Sequence, residues 1–490
     1  MRLAGTEGPG SETGLRDYQL DMLNRLRSAL KRHRRVVCQS PTGSGKTRLA
    51  TYMMGRAAQR GIPATFVVHR QELVDQTSAA LWQQRLEHGL IVSGVRSSRL
   101  PVQVATVQTL VRRLGKTASP GLIIVDEAHR AAAQTYRRIL DTYPQAHVVG
   151  LTATPERTDG KGLDDLFGDI VEGPSIRWLI EQGYLADYRC YAPSSVDTSG
   201  VSSRGGEFVA AEAEKAVNDA DIIGDALEHY SRLAKGRRAI AFTVSKNHAH
   251  AVTRSFLDGG IPAEMITGET PKQQRAAALN RLRSGETMVL VTVELAIEGL
   301  DIPAADVAIM LRPTQSIIVH RQAIGRVLRP NPEGSNAIIL DHVGNTIRLG
   351  LPDEPREWSL EGRKKANNKG PADEETATPA PKTCPVCFAA HRPAPTCPEC
   401  GHQYVEQGSI PDEAPGELVE VDPETVRRER MREQGAARTL EDLVAVGMRR
   451  GLRSPDGWAA HVFAARQGRK PSKDERAEAR RVMQQHRERA

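Results

Sequence analysis

The 490-residue chain is poor in aromatic side chains and in cysteine, and it lacks any long hydrophobic run. Aromatics make up 4% of the residues, so the cores must be built mainly from aliphatic side chains. No apolar stretch approaches the ~20 residues that a membrane-crossing helix needs. Residues 1–14 are polar and Gly-rich with no signal-peptide core, so a cytoplasmic location without membrane contact is expected. The cysteines number 6. Four cluster between 384 and 400, and Cys38 and Cys190 read as reduced thiols in or near a core, which excludes a disulfide framework. Neither sign of charge dominates: 67 Lys and Arg face 60 Asp and Glu, a formal net charge of +7. That balance is compatible with a polyanionic partner and does not require one. The length suits two or three domains.

The most informative stretch begins at Val36-Val37-Cys38, a short apolar run that reads as a buried strand. Ser40-Pro41-Thr42-Gly43-Ser44-Gly45-Lys46-Thr47 follows, then a helix-favouring stretch to Gln59. Strand, glycine turn, Lys-Thr and helix form the anatomy of a phosphate-binding loop. Without Cβ atoms at Gly43 and Gly45, backbone N–H groups can curl around phosphate oxygens. The new helix points its positive end at the same anion. Lys46 adds a full charge, and the Thr47 hydroxyl can ligate Mg²⁺. The usual loop opens with Gly where this chain has Ser40. Upstream, Gln19 carries a carboxamide suited to an adenine edge, at the start of a helix expected over 20–30 with Asp17 near its cap. The basic run 31–35 fits a solvated face.

Alternating units follow. Strands are expected at 64–68, 102–105, 121–125 and 147–152, with helices opening after the first two. That alternation predicts a parallel, doubly wound sheet with its ligands at the carboxyl ends of the strands. Asp126 and Glu127 end one such strand. The first can hold Mg²⁺, directly or through water, and the second can orient and deprotonate an attacking water. Residues 155–221 read as irregular. The alternation restarts with strands expected at 238–244, 263–267, 288–293, 307–311 and 337–340. Helices are expected at 246–257, 272–283 and 316–328. Along the last helix Gln322, Arg326 and Arg329 recur at spacings of four and three, which would set them on one face. Two arginines pointing across a cleft could clamp a γ-phosphate.

Beyond residue 348 the composition becomes that of a linker. Cys384-Pro-Val-Cys387 and Cys397-Pro-Glu-Cys400 then offer four thiolates for a tetrahedral, structural Zn²⁺. A redox pair is the alternative, disfavoured by the second knuckle and the lack of a surrounding βαβ unit. The end of the chain is rich in Arg and Ala, with helical spacing at Leu440, Leu443 and Val444. It suits a small helical element with a basic tail, either solvated or touching nucleic acid. The expected layout is an α/β domain over 12–185, an irregular connection over 186–220 and a second α/β domain over 221–348. A linker over 349–382, a four-cysteine module over 383–403 and an acidic linker with a basic helical tail over 404–490 follow.

Taken together these stretches resemble a superfamily 2 helicase of the DEAD/DEAH-box kind. Arg16–Gln19 is similar to its adenine-reading motif, and residues 40–47 to its motif I, in which the first Gly is commonly replaced. Residues 67–76 and 106–110 resemble motifs Ia and Ib. Asp126-Glu127-Ala128-His129 is the DEAH form of motif II, and Thr152-Ala153-Thr154 is similar to motif III. Residues 291–303 resemble motif V, departing from it at Glu294, and 322–329 resemble motif VI. The paired cysteine knuckles and the Trp-containing tail are most similar to bacterial RadD-type and phage-encoded repair or replication helicases. The resemblance implies two RecA-like domains with ATP and Mg²⁺ between them. It implies nucleotide contacts at Arg16, Gln19, residues 40–47, Gly299 and Asp301. Catalysis would fall to Glu127, Gln322, Arg326 and Arg329, and coupling to His129, Thr152 and Thr154. Arg70, Gln71, Thr106 and Thr292 would touch a nucleic-acid strand through its phosphates, largely without sequence preference. Single-stranded or forked DNA is the favoured partner, with a repair or replication protein as a further one. An RNA helicase, and an adaptor with a vestigial motor, are the rival readings.

Overall fold

The computed structural model describes residues 14–96, 98–157, 161–193, 203–204, 207–209, 212–213, 220–293, 305–331, 334–362, 380–404, 431–450, 454–467, 469, 471–472, 475–479 and 481. Residues 14–404 belong to one compact unit, and a second unit begins at Val405.

Continuous apolar runs become strands buried on both faces, as a parallel sheet requires. The first sheet holds β1 (Arg35–Gln39), β2 (Ala64–Val68), β3 (Gly89–Ile91), β4 (Val102–Thr106), β5 (Leu122–Asp126), β6 (His147–Thr152) and β7 (Asp169–Glu172). Their spatial order is β3-β4-β2-β5-β6-β1-β7, with every pairing parallel. Val36, Val37 and Cys38 are fully buried in β1, and burial pushes the Cys38 thiol up to about 12. Helices α1 (Asp17–Arg32), α2 (Lys46–Gln59), α3 (Gln71–Gln83), α4 (Val107–Arg112), α5 (Gln134–Thr142) and α6 (Ile176–Glu181) connect and flank these strands. Helix α1 starts earlier than expected, with Arg16 at its N-cap and Asp17 inside its first turn.

The second sheet departs from the sequence expectation in one strand. Tyr188–Tyr191, placed by sequence in an irregular connection, forms β8 and joins this sheet at its edge. A hairpin of β9 (Ser203–Arg204) and β10 (Glu207–Phe208) follows, then α7 (Ala220–Leu233). The sheet continues with β11 (Ala239–Thr243), β12 (Ala263–Ile266), β13 (Val289–Val293), β14 (Val307–Met310) and β15 (Ala337–Asp341). Its order is β12-β13-β11-β14-β15-β8, again all parallel. Helices α8 (Lys246–Asp258), α9 (Lys272–Ser284), α10 (Ile317–Ile324) and α11 (Asn345–Leu349) belong to this half. Strands β7 and β8 escaped the sequence reading because each has only four residues, with charged or aromatic positions breaking the apolar pattern.

Residues 349–362 were expected to be linker and are instead an ordered strap. The Leu360 carbonyl accepts from the backbone N–H groups of Leu163 and Asp164, and Gly362 bridges Lys161, which ties the strap to the first half. Within it Asp353 is 4% exposed. Its carboxylate accepts from the Tyr188 hydroxyl of β8, pairs with Arg392 at 3.0 Å and lies 3.9 Å from Arg177 of α6. The cysteine knuckles carry β16 (Lys382–Thr383) and β17 (Ala390–His391), and they sit against β8. Tyr191 bridges Ala389, the Ala192 N–H donates to the Phe388 carbonyl, and Arg189 pairs with Glu399 at 3.1 Å.

The second unit contains α12 (Leu440–Arg449) and α13 (Pro455–Gln467). Thr439 and Asp442 form a reciprocal capping box at the start of α12. Leu440, Leu443, Val444, Ala459 and Phe463 bury one another, as the helical spacing predicts.

Asp353 faces side chains from three separate elements, so its removal tests how far they depend on it. Asp353→Ala should lower unfolding free energy by about 1–3 kcal/mol, the cost of leaving the largely buried Tyr188 hydroxyl without its acceptor. Urea unfolding checks this, and an unchanged midpoint would show that the three elements hold without it.

Candidate active site

A cavity of about 480 Å³ lies between the two sheets. Its first wall is the turn after β1, lined by Thr42, Gly43, Gly45, Lys46 and Thr47, together with Asp126 and Glu127 after β5. Its second wall is Gln322, Arg326 and Arg329. A third wall comes from α3, through Leu73, Gln76, Ala79, Ala80 and Gln83.

The turn is closed on itself. Gly45 caps α2 at φ +80°, a left-handed conformation that a side chain would strain. Lys46 Nζ donates to the carbonyls of Ser40 and Pro41 at 2.9 and 3.1 Å. The Ser40 hydroxyl donates to Ser44 Oγ at 2.7 Å, so the residue standing in place of the usual glycine braces the turn. Gln19 does the same. Its Nε2 donates to the carbonyls of Ser44 and Gly45 at 3.1 and 3.3 Å, and its Oε1 accepts from the Arg16 N–H at 3.0 Å. At 2% exposure, with both ends of the amide engaged, Gln19 supports the loop and does not present a free edge to a base, contrary to the sequence expectation.

Three aromatic residues that the sequence reading did not assign stand next to this turn. The Tyr18 hydroxyl donates to the Ser44 carbonyl at 2.6 Å. The Tyr18 ring meets Trp178 and Tyr184 edge-on at centroid distances of 5.8 and 5.1 Å. The Arg16 guanidinium lies 4.6 Å over the Tyr184 ring and donates to the Tyr18 hydroxyl at 3.2 Å. Tyr18 could have been suspected from its place beside Gln19. Trp178 and Tyr184 lie in the stretch read as irregular and carry no local signal.

The charges facing the cavity are desolvated. Burial lowers the proton affinity of Lys46, while Glu127 and Asp126 pull the other way. Burial pushes the Asp126 carboxyl up to about 6, Glu127 adds to the rise, and Lys46 opposes it. Glu127 has a left-handed backbone at φ 53°, an uncommon conformation for a non-glycine residue that aims its carboxylate along the strand end. His129 Nδ1 lies 3.4 Å from Glu127 Oε2 and 3.3 Å from Thr152 Oγ1. Thr152 Oγ1 in turn donates to the Thr154 carbonyl at 2.8 Å and accepts from its N–H at 3.1 Å. Acid, imidazole, the Thr152 hydroxyl and the Thr154 backbone therefore stand in line from β5 to the end of β6.

The second wall corrects the reason given for its geometry. Helix α10 ends at Ile324 with Gly325 as its C-cap, so Arg326 and Arg329 lie in the turn beyond it and share no helix face with Gln322. They reach the same cavity because the chain turns there. A Cβ on Gly325 would lie 2.6 Å from Thr42 Cβ, so glycine is what lets this turn close onto the phosphate loop. The Gln322 amide is buried with no hydrogen-bond partner at either end among the described residues. Burial lowers the proton affinity of the Arg329 guanidinium.

The candidate strand contacts divide. Arg70 and Gln71 start α3 after β2, and Thr106 starts α4 after the neighbouring β4, so three of them share one sheet edge. Thr106 is 8% exposed and its hydroxyl donates to Thr109. Thr292 is fully buried within β13, so its hydroxyl does not reach a surface where a strand could lie. Gly299 and Asp301 fall outside the described residues.

The four cysteine sulfurs lie within 4.8 Å of one another, with Cys384–Cys400 and Cys387–Cys397 separations of 3.6 and 3.7 Å. Zn–S bonds of about 2.3 Å in a tetrahedron set sulfurs about 3.8 Å apart, so the donor set fits Zn²⁺. Four thiolates would close its coordination and leave no catalytic position.

Residues 12–157 match the family model described as "Type III restriction enzyme, res subunit", and 221–331 match "Helicase conserved C-terminal domain". A 51.5 kDa protein of a Lactococcus phage is 32% identical over 400 residues, covering 80% of this chain and 83% of the relative. The DNA 3'-5' translocase XPB2 of Sulfurisphaera tokodaii is 26% identical over 362 residues, covering 64% and 78%. Of two fungal relatives the chain spans 51% and 59% of the length. A solved fragment of an HsdR subunit from a type I restriction enzyme of Vibrio vulnificus superposes with a TM-score of 0.53 at 23% identity, covering 70% of each chain. At that identity the superposition establishes the fold.

Two outcomes follow from the site. Asp126 has a folded pKa near 6, above the unfolded value of about 4. Its charge therefore destabilises the fold above pH 6, and the penalty fades as pH falls toward 4. Asp126→Asn should raise the melting temperature of metal-free protein at neutral pH, with the gain shrinking in acid. A gain that grew in acid would reverse the assignment. Elemental analysis should find one zinc per chain in protein purified without chelator, and none in Cys384→Ser/Cys397→Ser. Zinc-free wild-type protein would refute the metal site.

Proposed function

The chain belongs to the superfamily 2 helicases and is an ATP-hydrolysing enzyme of helicase or translocase type; we propose that it acts on DNA, in repair, recombination or replication. The observation that carries the reading is the cavity itself. Loop, acids and arginines, far apart in the chain, line one space between the two sheets.

In this reading the nucleotide's phosphates replace the Ser40 and Pro41 carbonyls as the partners of Lys46. Backbone N–H groups of residues 42–47 and the positive end of α2 hold the same anion. Thr47 and Asp126 would hold Mg²⁺, which when bound neutralises charge between the β- and γ-phosphates. Glu127 orients the attacking water and takes its proton, and His129 passes the state of that carboxylate to Thr152 and Thr154. Arg326 and Arg329 meet the charge that develops on the transferred phosphoryl group. Gln322 offers its unpartnered amide beside them. The base lies near Arg16 and Tyr184. Arg70, Gln71 and Thr106 hold the strand by its phosphates. Zn²⁺ at the four cysteines is structural and keeps the knuckles against β8.

DNA is favoured over RNA by the relative XPB2, a DNA 3'-5' translocase, and by the restriction-enzyme family model that matches residues 12–157. Turnover measured side by side with single-stranded, duplex and forked DNA and with RNA tests this. Stimulation by RNA alone would reverse the assignment of substrate.

The arginines give the sharpest mutational test. Arg326→Ala should lower single-turnover hydrolysis far more than nucleotide affinity, because the arginine acts on the transition state. Such residues contribute about 10³–10⁵ in rate in well-studied phosphoryl transfer, and Arg329 alongside should moderate the loss here. Arg326→Lys should still fail, since an ammonium lacks the planar two-point contact. Wild-type hydrolysis with lost DNA affinity would make this turn a nucleic-acid surface. Glu127→Gln should retain nucleotide binding and lose hydrolysis.

A further inference from the structure

A second set of contacts joins the two halves away from the phosphate loop. The Glu72 carboxylate accepts from Arg275 Nη1 at 2.6 Å, and Asp75 pairs with Lys272. The acids are three residues apart on α3 and the bases three apart on α9. Position 72 meets 275 and 75 meets 272, so the pairing runs in opposite chain directions with both pairs in register. The two pairs differ in weight. Lys272 and Asp75 are 65% and 42% exposed, where water screens such a pair almost completely. Arg275 and Glu72 are 10% and 22% exposed. Arg275 also donates to the Thr270 and Gly268 carbonyls at 3.2 and 3.4 Å, which fixes its fork in place.

What makes this pair more than a fastening is the helix that carries it. On α3, Leu73, Gln76, Ala80 and Gln83 recur at spacings of three, four and three and form a wall of the nucleotide cavity. Glu72 and Asp75 occupy the adjoining face. Arg70 and Gln71, at the start of the same helix, stand at the sheet edge where a strand is read to lie. The Gln71 amide donates to Asp75 at 3.3 Å, so the strand end and the outer pair touch directly. One helix thus lines the cavity, starts at that sheet edge and meets the second domain.

We propose that Glu72 and Arg275 form a positioning clasp through which α3 couples nucleic-acid binding to closure of the second domain over the nucleotide. The proposal rests on the nucleotide and strand assignments made above. Opening the cleft must break the short Glu72–Arg275 contact, which is either made or lost, so separation of the halves is a discrete step and not a gradual drift. A strand at Arg70 and Gln71 and a nucleotide against Leu73 and Gln76 bias that one step from two ends. This is what an energetic link between two sites requires.

The test uses the full chain and reciprocal charge reversal: Glu72→Arg, Arg275→Glu, and both together. The readouts are turnover with and without single-stranded DNA, affinity for a fluorescent ATP analogue, and melting temperature. Each single reversal should lower the ratio of stimulated to basal turnover by about tenfold, within the usual range for coupling between sites. Analogue affinity should stay close to wild type, and the double reversal should restore most of the ratio. Wild-type ratios in the single variants would overturn the proposal. So would single-variant losses that the double reversal leaves unrepaired while all melting temperatures match wild type. If a reversal unfolds the chain, Glu72→Gln and Arg275→Gln give the same ratio test with less disturbance. If the wild type shows no stimulation by nucleic acid, the strand assignment has failed. Melting temperatures of the four charge states then still read the pair, and additive shifts at 72 and 275 would show that no clasp exists.

Discussion

The structure depends on one close approach, that of Thr42 in the phosphate loop to Gly325 at the end of α10. No side chain fits between them. That contact brings the turn bearing both arginines of the second half to the loop and acids of the first. A lysine, two carboxylates and two arginines share one partly dry space. Burial disfavours the charged forms of Lys46 and Asp126, and the opposite charge facing each works against that. A polyanionic ligand with its cation fits such a space, because it can satisfy both signs of charge at once.

The remainder of the first unit keeps that approach in register. The strap over 349–362 returns from the second half to Leu163, and Asp353 within it accepts from Tyr188 of β8 and pairs with Arg177 of α6 and with Arg392 of the cysteine knuckles. The knuckles are therefore a brace on the edge of the second sheet. A closed metal site stabilises by fixing chain segments, and the segment packed against these four cysteines is the strand that extends the second sheet. Helix α3 adds a further tie, through Glu72 and Asp75 to α9.

Much of the site was legible in the sequence because its signals are local. The turn at 40–47, the acids at 126–127 and the cysteines between 384 and 400 each declare their chemistry within a short stretch of chain, where loop geometry and ligand spacing follow from the backbone. The alternation of strand and helix gave both sheets except their shortest members. Gln19 shows the limit of this kind of reading. Its carboxamide could equally face a base or a carbonyl, and only the packing of α1 against the loop assigned it to Ser44 and Gly45. Thr292 shows another: a motif position identifies a residue type, while the burial of β13 decides whether its hydroxyl can be reached.

The sequence by itself determined that this chain has a phosphate loop, a pair of acids at a strand end, a basic stretch that could answer them, and four cysteines with metal spacing. Tertiary structure alone decided that Arg326 and Arg329 reach the cavity from a turn and not from a helix face, that β8 crosses into the second sheet, and that Glu72 meets Arg275. The physical reason is range. Periodicity and turn chemistry act over a few residues, so they can be read along the chain. The pairing of charges some two hundred residues apart depends on how two sheets pack, and no spacing within the sequence encodes that distance.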